Sequence, residues 1–527
     1  MTLDACDMPG PNQSAAALYE EARRFVDRGR DADASARLDA AIAAKPDFAE
    51  AFSLGGYILE RGGHRDAAER FYLRAVTLKN DLAPAWFNLG KLLVRRGRFA
   101  EALAAVDAGL AAAPNDADAL NTRSAVLRGL WRLDEAAEAA RAALRRRPDF
   151  PEAAVNLGTA LLRAAKPEPA LAAYSTAAAL RRDYGDAICG QGLALRALDR
   201  LDEARAAFDR AVALGCREAM SGLGCLDLML GDFERGFEGY EARWVDGKSI
   251  AEALGVRYPL WKGPTAPPQR VLVINDHGLG DTIQFARYLP LMARAGAEPH
   301  FLCPAKLHRL IGPAVAGRIF EREPGDVKFD AQIAISSLPR AFATRLDSVP
   351  AEVPYLFPER YRIARWAEEI GRDGFRIGCV WQGNANPEAD IARSFPLAAL
   401  APLAAIAGAR LVSLQRGFGE EQLGSKPPDF PITKLSADYD AGPHAFVDAA
   451  AAMMSLDLVV ACDTSIAHLA GALGRPVWVA LKRDSEWRWL RGRDDSPWYP
   501  TMRLFRQPTA GDWASVFAAM AAALRVS

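Results

Sequence analysis

Small and large apolar residues recur along the first half of the chain at one fixed spacing. Ala34, Ala68, Ala102, Ala136, Ala170 and Ala204 follow one another in steps of 34 residues. Four positions after them stand Leu38, Tyr72, Val106, Ala140, Tyr174 and Phe208, and three further on Ala41, Ala75, Gly109, Ala143, Ala177 and Ala211. Earlier in each unit Phe52, Trp86 and Leu120 hold a bulky position, and Gly56, Gly90, Gly158 and Gly192 a small one. Apolar positions three and four apart share one face of a helix, so each unit predicts two amphipathic helices. Small residues let the two approach closely, and the large ones fill the groove between neighbouring pairs. Pro46, Pro114 and Pro148 close the second helix, which a proline cannot continue.

A gapless repeat of this length predicts a stacked solenoid, because one helical pair cannot bury its own apolar face. The pattern resembles the tetratricopeptide repeat (TPR) from about residue 15 to residue 216. A shorter seventh unit follows at 217–244, with Gly224, Gly236 and Tyr240 in the corresponding places. Nearly all of these residues are expected to be core. The resemblance implies a groove for an extended protein or peptide segment, without naming the segment.

After Trp244 the rhythm stops. Residues 245–269 contain several prolines and read as a linker or cap. Short apolar runs then alternate with helical patterns. Strands are expected at 270–275, 300–303 and 330–335, with helices at 281–295 and 305–311 between them. A second series of strands is expected at 375–381, 410–414, 456–461 and 476–481. Such alternation predicts parallel sheets covered on both faces, here in two lobes, 270–370 and 371–527. The last helix, 512–524, is expected to cross back over the first lobe. The fold expected is therefore an all-α solenoid over 15–244 and a pair of Rossmann-type α/β lobes, with residues 1–14 disordered.

Bulk properties narrow the function. The 527 residues carry a formal net charge of −1, with 33 basic and 36 acidic side chains in 1–244 and 32 and 30 in the remainder. Neither half is a polycation, which removes electrostatic support for a nucleic-acid partner. The N-terminal residues lack the basic and apolar regions of a secretory leader, and no apolar run reaches the ~20 residues of a membrane span. The seven cysteines are scattered and never in CxxC spacing, which disfavours a disulfide framework or a zinc site. A cytoplasmic protein of bacterial type is the expectation.

Two motifs stand at predicted strand ends, where open α/β sheets bind ligands. The first is Asp276-His277-Gly278-Leu279-Gly280-Asp281-Thr282, in which Gly278 and Gly280 permit a tight turn and close approach of a ligand. Asp281 fits a helix cap or first-turn carboxylate as well as a chemical group. The second is Cys462-Asp463-Thr464-Ser465-Ile466-Ala467-His468. It sets hydroxyls and backbone N–H groups at a helix start, an arrangement suited to a pyrophosphate and equally to plain capping. Gln382, Asn384, Arg393, Ser394, Gln415 and Arg416 are further polar groups near strand ends. The late aromatics Trp478, Trp487, Trp489, Trp498 and Tyr499 read first as core.

The strings NDHGLGDTIQFARYLP, VWQGN, ARSFPL, SLQRG and DTSIAHLAGALGRPVWV resemble the C-terminal domain of bacterial TPR-containing glycosyltransferases. That domain is similar to the family 9 glycosyltransferases, the heptosyltransferases, which have the two-lobed GT-B fold. GDFERGFEGYEARW and SEWRWL look like the same TPR-linked group. The resemblance implies an inverting transfer from a nucleotide-sugar donor, with no metal and no other cofactor. It implies Asp281 as general base and Asp463, Thr464 and His468 as holders of the donor diphosphate. Ser465 stands where that family carries glycine. Ser465, Gln382, Asn384, Arg393 and Gln415 complete the expected donor set.

The fusion itself implies a protein acceptor held by the TPR groove, flagellin-like in the proteins that share this layout, since tethering raises the acceptor's local concentration. The alternatives are transfer to a glycan or lipid-linked saccharide, and a TPR scaffold whose transferase domain has decayed.

Overall fold

The computed structural model describes residues 14–243, 258–267, 269–383, 390–427 and 430–526. The first 13 residues, most of the expected linker and Asn384 lie outside them. The chain divides into two compact units, 1–191 and 192–527.

The first unit is built of antiparallel helical pairs, beginning with Ala15–Asp27 against Asp31–Ala44 and reaching Pro151–Arg163 against Pro167–Leu180. The alanines of the 34-residue series, Ala34 to Ala170, are fully buried. The partner glycines are where they are because aromatic rings occupy the space a side chain would need. A Cβ on Gly56 would lie 2.7 Å from the Tyr72 ring, and one on Gly158 2.8 Å from the Tyr174 ring. Polar contacts repeat with the same register. Lys79–Glu50, Arg147–Asp118 and Arg181–Glu152 join corresponding positions at 2.8, 2.7 and 2.6 Å. Lys45, Arg147 and Arg181 each lie over the aromatic ring three residues on, Phe48, Phe150 and Tyr184.

The second unit starts with the last repeat helices, Leu201–Ala213, Arg217–Leu230 and Phe233–Tyr240. Gly224 and Gly236 let the final two cross backbone against backbone: a Cβ on Gly224 would meet the Tyr240 nitrogen at 2.5 Å. Phe233, Phe237 and Tyr240 do not face a further repeat. They enter the same buried cluster as Trp261, Trp487 and Trp498 of the α/β region. Phe233 stacks on Trp498 at 5.8 Å, and Phe237 meets Trp487 edge-on at 5.7 Å.

Two all-parallel sheets follow. The first is β1 (Arg270–Ile274), β2 (Glu298–Leu302), β3 (Ile319–Phe320) and β4 (Ala331–Ala334), in the order β3-β2-β1-β4. The second is β5 (Phe375–Val380), β6 (Ala409–Ser413), β7 (Ile432–Lys434), β8 (Leu458–Cys462), β9 (Val477–Leu481) and β10 (Met502–Arg506), in the order β10-β9-β8-β5-β6-β7. Strand order therefore reverses between β1 and β4 and again between β5 and β8. Next to such reversals the connections leave in opposite directions and open a crevice at the strands' carboxyl ends.

Two expectations are corrected. The helix expected over 281–295 is two, Leu279–Phe285 and Tyr288–Arg294. Pro290 has no N–H to give the Ala286 carbonyl, so the ladder cannot run through. The last helix, Trp513–Val526, stays on the second sheet, where Val516, Phe517 and Met520 pack with Phe395, Leu400 and Phe505. Strands β3, β7 and β10 were not expected; the first two are two and three residues long.

Filling the space beside Tyr174 tests the ring-into-glycine packing. Gly158→Leu is expected to destabilise the protein by about 1–3 kcal/mol through overpacking, less what the better helix former returns, while Gly325→Ala, in a turn with open space and an ordinary backbone conformation, leaves the packing intact. Urea unfolding followed by circular dichroism reads the difference.

Candidate functional site

The two order reversals open on one cleft. The loop after β1 is pinned at its base by Asp276, whose carboxylate accepts from the Ser336 backbone N–H at 3.2 Å and from Arg243 at 3.1 Å. Asn275 donates to the His277 carbonyl at 3.0 Å, and the Thr282 hydroxyl donates to the Gly278 carbonyl at 2.8 Å. This holds Gly278 as the cap of the Leu279–Phe285 helix and sets Asp281 in its first turn. Opposite, the strand β8 ends at Cys462, and Thr464 caps the Ser465–Ala472 helix. The two helices pack together, and Gly280 makes their approach possible: a Cβ there would lie 3.0 Å from His468 Cδ2 and 3.5 Å from Ser465 Cα.

The cleft between them has a volume of about 600 Å³. Of the residues singled out in the sequence, Gly278, Gly280, Asp281, Gln382, Arg393, Gln415, Arg416, Asp463, Thr464, Ser465 and His468 line it. They do not all offer free groups. Gln415 accepts at Oε1 from the backbone N–H of Trp381 and Gln382, both at 3.1 Å, and its amide donates to the Gln382 and Phe418 carbonyls. It shapes the loop after β5 and has little left for a ligand. The Ser394 hydroxyl likewise takes the Gly383 N–H at 3.1 Å and gives its own proton to Asp390 at 2.5 Å. Lys482 donates to the Ile391 carbonyl.

Three other groups do lack partners. Arg393 Nε, Thr464 Oγ1 and Arg488 Nε are buried with no hydrogen bond; Asp463 Oδ2 is buried too, and the Trp489 indole acts on its carboxylate without closing a hydrogen bond of full geometry. An unsatisfied buried polar atom costs about 1–3 kcal/mol, and three lining one cleft mark a place for a polar ligand.

Arg488 was not singled out from the sequence. It lies in the short turn Trp487–Trp489, is 8% exposed, and donates from Nη2 to Asp281 Oδ1 at 2.6 Å. Its two tryptophan neighbours are buried, so the signal present in the sequence was a cation inside an apolar run. The Asp281, Glu486 and Asp463 carboxylates outweigh burial and hold its guanidinium firmly charged. Burial pushes the Asp463 carboxyl up, against the pull of Arg488 and Arg393.

His468 stacks on Trp489 at 5.2 Å, and its Nδ1 lies 3.0 Å from the Tyr499 hydroxyl. Burial, then the charges of Arg488, Arg287 and Arg393, drive its pKa well below the ordinary value. It is a neutral imidazole, a hydrogen-bonding group and not a cation. Trp489, Trp498 and Tyr499 are fully buried, and Arg287 lies 4.6 Å over the Tyr499 ring.

Among the described residues no group of three or more histidine, cysteine, aspartate or glutamate side chains is gathered as for a metal ion. Cys189, Cys216, Cys225, Cys303, Cys379 and Cys462 are free thiols. No described helix is long and apolar enough to cross a membrane.

The buried histidine makes stability depend on pH. Below its ordinary pKa of about 6.5 the unfolded chain binds a proton at His468 that the folded chain does not. Stability from this residue is thus complete above pH ~6.5 and falls by up to about 1.4 kcal/mol per pH unit below it. His468→Gln is expected to flatten that limb between pH 6.5 and 5, read as the difference between the two proteins' urea-unfolding free energies.

Comparison with known proteins agrees with the repeat half. The tetratricopeptide-repeat family matches in six overlapping stretches, 19–85, 59–117, 87–151, 122–187, 155–220 and 189–249. A relative, Protein FlbA of Caulobacter vibrioides, is 28% identical over 328 residues, 56% of this chain and 53% of that protein. The chain thus spans about half the length of the curated relative it matches. Among solved structures, a tetratricopeptide repeat protein from Parabacteroides merdae is 17% identical, covers 46% of this chain and 97% of its own, and has a TM-score of 0.40. PilW, a type IV pilus biogenesis factor, is 20% identical over 38% of this chain and 94% of its own, with a TM-score of 0.36. MamA from Desulfovibrio magneticus is 21% identical over 33% and 99%, with a TM-score of 0.31. On its own packing and on this family match, the chain is a tetratricopeptide-repeat protein whose repeats lead into an α/β region built on two parallel sheets.

Proposed function

We propose that the α/β region is an inverting glycosyltransferase that takes its sugar from a nucleotide-sugar donor, and that the repeats hold the protein acceptor. One observation carries the reading: Asp281 and the Asp463–His468 turn line a single cleft where both sheets reverse their strand order. A diphosphate would lie at the start of the Ser465–Ala472 helix, against its backbone N–H groups and Arg393. Val380, Leu414, Phe446 and Ile466 supply an apolar wall for a base.

In the step proposed, an acceptor hydroxyl attacks the anomeric carbon and a new C–O bond forms. The bond from that carbon to the diphosphate oxygen breaks, and its electron pair leaves with the nucleotide. The hydroxyl proton passes to Asp281, since an alcohol is too weak an acid to lose it unaided. The growing charge on the leaving phosphate meets fixed donors and cations.

A second reading, a TPR scaffold whose α/β region no longer catalyses, is favoured by a specific feature. Asp281 Oδ1 is engaged by Arg488, which leaves only Oδ2 to take a proton. Ser465 in the phosphate turn points the same way.

A panel of nucleotide sugars separates the two readings. On the transferase reading at least one stabilises the full chain against heat, by about 2.7 kcal/mol at 100 times its dissociation constant, and is turned over. Asp281→Asn then loses roughly 10²–10⁴-fold in turnover, the range a general base supplies. Undiminished turnover in that variant removes Asp281 as base, and a panel without a binder leaves the scaffold.

A further inference from the structure

The cleft holds one buried cation with two claims on it. Arg488 gives Nη2 to Asp281 on one wall, while its Nε, also buried, has no partner. On the other wall Arg393 Nε and the Thr464 hydroxyl are buried without acceptors, and Asp463 Oδ2 without a hydrogen bond of full geometry. A ligand that answers all four carries several acceptor oxygens, at least one negative charge and a hydroxyl. A diphosphate ester of a nucleoside or sugar has that chemistry, with acceptor oxygens on its phosphates and hydroxyls on its sugar.

We infer that Arg488 is a shared positioning residue: it holds Asp281 Oδ1 and turns to the donor's diphosphate when that arrives, so donor binding frees the whole carboxylate for the acceptor. This rests on the transferase reading of the cleft. The geometry makes the exchange short, because Arg488 lines the same cleft as Asp281, Asp463 and Thr464 and the backbone on either side of it is fixed by buried tryptophans. The fork of a guanidinium suits it to either partner, as carboxylate and phosphate present similar paired oxygens. An order of binding follows. The donor enters first, and an acceptor that arrives early finds one oxygen of Asp281 held by Arg488.

Linkage makes this measurable without a transfer assay. If Asp281 and the diphosphate compete for Arg488, removing the Asp281 charge must tighten the diphosphate, and the coupling is reciprocal. The probes are UDP, GDP, ADP and CDP titrated calorimetrically into the full chain, with the matching monophosphates beside them. Asp281→Asn is expected to tighten the nucleoside diphosphate about five- to tenfold, and Arg488→Gln to weaken it by a similar factor or more. The deciding protein is the double variant. With Arg488 already Gln, Asp281→Asn no longer tightens the ligand.

Tightening that persists in the Arg488→Gln background means a general repulsion from the carboxylate and overturns the inference. So does an Asp281→Asn variant with unchanged or weaker binding. Either result leaves the transferase reading standing. A wild-type chain that binds none of the four diphosphates sinks that reading, and the inference with it. Where Arg488→Gln fails to fold, Arg488→Lys keeps the charge without the fork, and the coupling to Asp281 is expected to shrink; undiminished coupling there counts against the exchange.

Discussion

The α/β region depends on one close contact, between the Leu279–Phe285 helix of one sheet and the Ser465–Ala472 helix of the other. Each helix follows a strand at which its sheet reverses order, so packing them together merges two crevices into one. The contact is possible because Gly280 has no side chain to put against His468 and Ser465. Position follows from it for the rest. Asp281 is one residue past Gly280, and Thr464 is one before Ser465. The carboxylate and the hydroxyl-rich turn line one cleft because the helices that carry them touch.

The end of the repeat array is part of that same core. Phe233, Phe237 and Tyr240 lie against Trp487 and Trp498, and Arg243 joins Glu241, Asp276 and the hydroxyls of Ser336 and Ser337. Tyr240 also hydrogen-bonds His277 of the glycine loop. The last unit is shorter than the others, and its second helix, Phe233–Tyr240, has eight residues. What also changes is the partner of the apolar face, which is why the compact units divide at residue 191 and not where the repeat ends. Through these contacts the loop after β1 and the turn bearing Arg488 lean on one hairpin.

The repeats were legible because each unit restates the same steric requirement: Gly158 under Tyr174 repeats Gly56 under Tyr72, and the register is written many times over. Longer buried strands such as β1 and β5 were legible as apolar runs, with ends shifted by a residue or two. β3 and β7 were not, since two or three residues carry no period. Pro290 marks the break at Ala286–Arg287, since it takes one N–H out of the helical ladder. Of the cleft, the residues beside predicted strand ends were within reach, because a strand end is a local property. Arg488 was not: its partner Asp281 is 207 residues away, and only the fold pairs them. Gln415 shows the opposite failure. A polar residue at a strand end reads as a ligand group, yet its amide is spent on the backbone of its own loop.

The distribution of charge in the cleft gives these pieces a common reason. A buried cation without a partner is costly, several kcal/mol after relaxation, so the charges lining the cleft must be balanced within it. Here Asp281 pairs directly with Arg488, while Asp463 and Glu486 act on it through space. Burial alone would raise the Glu486 carboxyl, but Arg488, Lys482 and Arg393 bring it below the ordinary value, so it stays ionised. On the transferase reading proposed above, the carboxylates balance the charge that a diphosphate would otherwise meet. The group that would accept a proton is then the group released when the ligand's charge arrives, because one guanidinium cannot satisfy both at full strength.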